Sequence, residues 1–380
     1  MSPQLLAGAD DLPEADWQAL ATAGDPFVSR AFLGAAERTG AAAEALDWQP
    51  MHLVLRDDAN RISGLLPLYQ RYNSFGDFSR DWDWAGAWRQ AGMSYYPKLV
   101  TGVPFTPSPG PRLLSRVGEE ARAQLVDAAK ALVAEMKVSS WQCLFVEEGE
   151  KALLESAGLL LRRGVQFHWL NRSYRDFADF LDGFSAEKRK KLKRERRGVQ
   201  EAGLRIEVRY GDQIDAPLWE AIHRHYRDTF VRHGNHPAFS KAFFESVGAS
   251  LGRQMVVFVA WNGETPVASA ICYRDATTLH GRHWGADMAC PGLHFELCYY
   301  SAIEYAIAQG LERFEPGAQG EHKLARGFEP QSTWSGYWIA DGPMRLAVAR
   351  FLVREDAAMV DYQAEMAARL PFRQAQGTMT

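Results

Sequence analysis

Cysteine is scarce in this sequence: Cys143, Cys272, Cys290 and Cys298 are the four in 380 residues, and no two form a CxxC pair. That excludes a disulfide framework or a cysteine-built zinc module and makes reduced thiols and no metal the expectation. Long apolar runs are also missing. No stretch approaches the roughly 18 apolar residues of a membrane span, and the opening MSPQLLAGADDLPEADW lacks a basic region followed by an apolar one. A cytoplasmic protein without a span is therefore expected. With 47% hydrophobic and 24% charged residues, nothing demands a large disordered segment. The length exceeds one ordinary core, so two domains of roughly 150–200 residues are expected.

Positive charge is lacking too, except in one place. The net charge is −4, yet residues 188–197 (KRKKLKRERR) hold eight basic residues and one acidic, a local +7 that leaves −11 for the rest. A general nucleic-acid-binding face is excluded, while a local contact with phosphates, transfer RNA among them, stays open beside the plain reading of a solvated helix face.

Periodicity organises the chain. After a helix around 27–45, the stretch 51–70 (MHLVLRDDANRISGLLPLYQ) predicts two strands and a polar turn at Asp57–Arg61, and a third strand follows near Lys98–Phe105. TPSPGPR (106–112) leads to a helix with Leu125, Ala128, Ala129, Leu132 and Met136 at helical spacing, then a strand at Trp141–Val146. The second half repeats the order: a hairpin over 256–273 around Asn262-Gly263, a type I′ signal; a strand at 277–286; a loop at 287–292; a helix at 293–310; and a strand at Leu311–Glu315. Toward the end, Leu346, Ala349, Val353, Ala357 and Val360 predict the apolar stripe of a C-terminal helix near 343–370. An antiparallel hairpin passing into a parallel strand-helix-strand crossover is the GNAT acyltransferase pattern, although other α+β folds share it. The expected class is α/β (α+β), a tandem GNAT-like fold of two mixed sheets flanked by helices. Residues 1–168 form its N-terminal half, and 169–380 the C-terminal half with a basic helix at 185–202.

Two blocks carry a closer resemblance. NSFGDFSRDWDWAGAWRQAGMSYYPKLVTGVPFTPSPGPRLL (73–114) and HWGADMACPGLHFELCYYSAIEYAIAQGLERFEPGAQGEHKLARGFEP (283–330) resemble the FemAB-like predicted N-acyltransferase family of the GNAT superfamily. The resemblance implies acyl transfer to an amine, with acyl-CoA as the co-substrate and aminoacyl-transfer RNA, the donor of Fem enzymes that build peptidoglycan precursors, as the alternative. A silent peptide- or glycan-binding protein is the reading from another class. Where GNAT enzymes carry Q/R-x-x-G-x-G/A to cradle a pyrophosphate, this chain has PSPGPR, with Gly110 and Arg112, and ACPGLHF, with Gly292.

Acyl transfer to an amine needs a base and fixed donors at the carbonyl. Block two concentrates such groups: His280, Arg282 and His283 on one strand, His294 and Glu296 opening a helix, and Glu315, Gln319, His322, Lys323 and Arg326 beyond the next strand. Alternation sets His280 and Arg282 on one face and His283 on the other. The expected catalytic residues are Glu296, His322 and His294, with Lys323 and Arg326 holding an anionic partner and His280 and Arg282 also binding substrate. In block one, Asp77, Asp81, Trp84, Tyr95, Tyr96 and Lys98 suit a small-molecule or peptide amine; a tryptophan-rich packing interface is the plainer reading of the same residues.

Overall fold

The computed structural model describes residues 3–20, 24–318 and 320–373. In chain order its strands are β1 (Gln4–Leu6), β2 (Trp48–Pro50), β3 (His52–Arg56), β4 (Ile62–Leu66), β5 (Tyr69–Arg71), β6 (Lys98–Thr101), β7 (Leu114–Ser115), β8 (Ser140–Val146), β9 (Leu160–Leu170), β10 (Arg205–Tyr210), β11 (Met255–Asn262), β12 (Thr265–Arg274), β13 (Thr278–Ala286), β14 (Arg313–Glu315) and β15 (Glu329–Ile339). The class is mixed α/β, with sheets flanked by helices, as expected. The chain divides into two units that interleave: unit 1 takes the chain up to Gly164 with Ala238–Val247 and Ser332–Asp361, and unit 2 takes Val165–Pro237, Gly248–Gln331 and the chain from Tyr362.

In unit 1 the hairpin β3–β4 sits in a four-stranded antiparallel sheet, order β1-β3-β4-β7, whereas β2, β5, β6, β8 and β15 pair in a separate run. Strand order alone predicts one sheet. The division falls at Pro67, which lacks the N–H needed to continue the ladder. Only β6 and β8 are parallel in that run, and the helix Glu119–Met136 connects toward β8. Its Leu125, Val126, Ala129, Leu132 and Val133 pack with Leu53, Leu66, Leu99 and Trp141 in the core.

Unit 2 has the order β10-β11-β12-β13-β14-β9, antiparallel except for β13–β14. The β11–β12 hairpin pairs Asn262 with Thr265, so its turn residues are Gly263 and Glu264. Only Gly263 takes a positive φ, +58°. The turn therefore follows the II′ pattern with glycine first, not the expected I′ turn on Asn262-Gly263. Helices Ala186–Glu201, Ala216–Arg232 and 293–308 flank the sheet. Among the described residues no helix is long and apolar enough to cross a membrane.

The last helix, Gly342–Ala368, corrects the expected stripe. It buries Met344, Val348 and Leu352, and leaves Leu346, Val353 and Val360 exposed. Both sets have helical spacing, so periodicity could not choose between them.

Candidate functional site

Within unit 2, β13 and β14 pair over three positions, from Thr278↔Arg313 to His280↔Glu315. β14 then ends at Glu315, before Pro316, while β13 runs on to Ala286 along β12. The two strands part after His280. Gly281 stands at the parting, where a Cβ would lie 3.2 Å from the Phe314 ring and 3.4 Å from the Pro316 Cα.

A bulge follows at once. Cys272 pairs with Gly281 and Ile271 with His283, so Arg282 is an extra residue on β13. Bulges re-aim side chains, and here both Arg282 and His283 line one cavity of about 240 Å³, together with Trp284, His294, Cys298 and Tyr299. The expected split of these two residues onto opposite faces is thereby overturned.

The helix after Gly292 contributes the other wall. It starts as α (Leu293–Phe295), widens into a π turn (Glu296–Tyr300) and returns to α (Ser301–Ala308). A π turn inserts one residue into the helical repeat, a feature frequent at functional sites. Cys298 and Tyr299 line the cavity, while Glu296 and Tyr300 bond to Arg196 and Glu195 of the helix Ala186–Glu201.

Arg282 is the charged side chain of this cavity lining, and its two histidines are uncharged. Burial pushes the His283 imidazole down to about 3 and His294 to about 4, so both are neutral near pH 7. Lys323, only 2% exposed, donates to the Gly317 carbonyl at 2.6 Å. Burial, then the Arg282 charge, push its ammonium down to about 7. His322 accepts or donates with the Tyr299 hydroxyl at 2.9 Å, and burial and the cations Lys323 and Arg326 lower its pKa. On its other side His322 lines a separate depression of about 500 Å³ with Lys188, Glu321 and Arg369. His280 is buried beneath the parting point between Glu315 (2.9 Å) and Asp275 (3.0 Å). Burial alone would lower it, but the two carboxylates outweigh that and raise it.

In unit 1 the expected substrate residues form a closed network. Lys98 is fully buried and meets Asp77 at 2.9 Å and Asp81 at 2.7 Å. Gln142 and Tyr95 also bond to Asp81, and Ser79 links the two aspartates. Despite burial, Lys98 holds the Asp81 carboxyl well below the usual range. Trp84 packs edge-on against Tyr337 in the core. Tyr96, half-buried, shares a hydrogen bond with Ser74 at 2.8 Å.

A family model described as peptidoglycan biosynthesis/recognition, FemAB-like, matches residues 8–374. The chain belongs to the FemAB-like family. Among solved structures, FemX is similar with a TM-score of 0.54 at 11% identity, covering 92% of this chain and 100% of its own. L-PGS from Bacillus licheniformis scores 0.51 at 12% identity over 90% of this chain and 97% of its own. The C-terminal domain of a putative lysylphosphatidylglycerol synthetase from Agrobacterium fabrum scores 0.51 at 12% over 88% and 95%. At these identities the likeness is one of fold. No curated protein matches the chain. Family and fold together point to a transferase.

Several site expectations for the FemAB-like chain need correction. Glu296 is no free base: Arg196 grips both its oxygens, at 2.8 and 3.1 Å, and Ser301 bonds to it. Arg326 is spent on Glu195, Tyr300 and the His322 carbonyl, with its guanidinium 3.4 Å from the Phe295 ring centre. Arg112 is buried and donates to the carbonyls of Leu144, Pro111 and Ser108, so it cannot reach a phosphate. Gly110 is equally enclosed, since a Cβ there would meet the Asp25 carboxylate. Asp77 and Asp81 both pair with Lys98, and none of the three faces solvent. Gly292 (φ +87°) begins the helix 293–308 and lies against the Glu195 backbone. Gln319 lies outside the described residues. Trp284, Cys298 and Tyr299 were not singled out by sequence; the bulge and the π turn that aim them leave no periodic mark.

Proposed function

We propose that this FemAB-like protein is an N-acyltransferase working at the opening between β13 and β14, and that its donor is an acyl group on a phosphate-rich carrier. The parting of those strands carries the reading, with Lys323 bonded to the carbonyl of Gly317, which neighbours Gly281 at the opening. The free edge of β13 offers backbone groups to an extended amide-bearing substrate, and the cavity excludes water from the reacting carbonyl. Lys323, with a pKa near neutrality, exists in both forms at pH 7. It is suited to take the proton from the incoming amine and return it to the leaving oxygen or sulfur. Neutral His294, in the wall of the cavity, can accept a hydrogen bond and orient that amine. The acceptor we take to be an amine of a peptidoglycan precursor, in keeping with the family.

Two observations favour an aminoacyl ester on transfer RNA over acyl-CoA. A Cβ at Gly292 would lie 3.3 Å from the Glu195 carbonyl, so the helix Ala186–Glu201 runs close to where a coenzyme A pyrophosphate would approach. Meanwhile Lys190, Lys191, Lys193, Arg194 and Arg197 are exposed along the helix Ala186–Glu201, and its Lys188 lines the depression at His322. The test is thermal unfolding with acetyl-CoA or with charged transfer RNA: a carrier at 100 times its Kd should add about 2.7 kcal/mol. Transfer of a labelled aminoacyl group that is lost on ribonuclease treatment and on Lys323→Met supports the reading. Transfer that survives both overturns it.

A further inference from the structure

The helix Gly342–Ala368 uses one side and leaves the other unused. Inward, Met344, Val348 and Leu352 enter a core with Trp84 and Tyr337, Arg345 donates to the Gly158 carbonyl, and Glu355 and Asp356 pair with Arg162 and Arg163 at 2.7 Å each. Further along, Met366 is buried in a core cluster and Gln363 donates to the Pro330 carbonyl. Outward stand Leu346, Val353 and Val360, which are 62%, 73% and 45% exposed. They recur every seven residues, and Arg350, Ala357 and Ala364, four residues after each, are exposed as well. That alternation of three and four is the seam of a coiled coil. A 27-residue helix at about 1.5 Å per residue is about 40 Å long, and branched aliphatics along that length mark a contact surface.

Charge selects the occupant. On the exposed side Arg350 and Arg354 lie in the first half, Asp361 and Glu365 in the second. Glu365 has a 3.8 Å contact with Arg369 of its own helix; Arg350, Arg354 and Asp361 have no ion pair among the described residues. Laid antiparallel on its own copy, the helix brings each arginine pair to the partner's acidic pair. Laid parallel, it sets like charge against like. A two-fold axis makes both contacts at once, since the same patch serves both copies.

We propose that this face is the interface of a homodimer, in which the helices Gly342–Ala368 of two chains pack antiparallel through Leu346, Val353, Ala357 and Val360. Analytical ultracentrifugation of the full chain from about 1 to about 100 μM, a span that reveals a micromolar dimer, should show a concentration-dependent dimer. Val353→Glu should give a monomer with unchanged far-ultraviolet circular dichroism and a melting temperature that no longer depends on concentration. Arg354→Glu and Asp361→Arg should each weaken the dimer by about tenfold, the scale of two symmetric ion pairs, and the double variant should restore it. A wild-type chain that stays monomeric throughout, or a dimer indifferent to Val353→Glu, overturns the proposal. A double variant no tighter than the singles overturns the antiparallel arrangement.

Discussion

His280 and Glu315 face one another across the parallel strands β13 and β14, with Nδ1 and Oε2 2.9 Å apart. The other ring nitrogen meets Asp275 at 3.0 Å, so the imidazolium fastens the last strand pair before the cavity opens. A histidine whose folded pKa is raised contributes stability that is fully present below its unfolded value and lost as pH rises through the folded one. His280→Gln should therefore cost about 1–3 kcal/mol at pH 6, with the difference from wild type shrinking toward pH 9. Urea unfolding across that range is the measurement, and a constant difference would mean that the charge plays no part.

Lys323 has the opposite linkage. Burial lowers its folded pKa from 10.5 to about 7, so between those values the unfolded chain binds a proton that the folded chain does not, and stability rises with pH. Lys323→Met should remove that cost and make the protein more stable at pH 7 by up to a few kcal/mol, with the gain fading toward pH 10. Stability gained while transfer is lost would mark a residue kept for chemistry. A variant less stable than wild type at pH 7 would show that the bond to Gly317 matters more.

The network around Lys98 predicts a purely structural phenotype. Asp81→Asn strips the buried ammonium of one of its two carboxylates, and breaking a buried pair costs on the order of 3 kcal/mol. The expected outcome is a lower melting temperature with the KM for the amine unchanged at a temperature where the variant is folded. A raised KM without loss of stability would return Asp81 to the binding role its sequence neighbourhood suggests.

For Glu296 the expectation concerns the basic helix. Glu296→Gln weakens the grip on Arg196, leaving Glu304 at 2.8 Å as its other partner. Amide exchange within 186–201 should accelerate about tenfold, for a loss near 1.4 kcal/mol. Exchange that stays slow would place the anchoring elsewhere, for instance in the buried Leu192 and Val199.

The hairpins and the crossover helix were legible because each has a period or a turn signal contained in a short window. Lys98 with Asp77 and Asp81, or His280 with Glu315, were visible as residue types, but their pairing depends on partners brought together by the sheet. Arg282 shows the limit of alternation: one bulged residue reverses the faces that follow. Glu296 shows the limit of helical spacing, because the π turn and the neighbouring Arg196 decide where its carboxylate is spent. Leu346, Val353 and Val360 were legible as a stripe, but a stripe does not state whether its cover lies inside the fold.

The interleaving of the two units has a consequence for how the chain is made. Most of strand β15 and much of the last helix belong to unit 1, yet Ser332 emerges long after Gly164. At about 5–20 residues per second on the ribosome, the nascent first unit waits roughly ten to thirty seconds for its missing strand, with the β8 edge unprotected. Meanwhile the second unit is being threaded out between. Such a chain cannot finish its parts in the order in which it is translated, and a chaperone that shields that edge would raise its yield more than one acting after release.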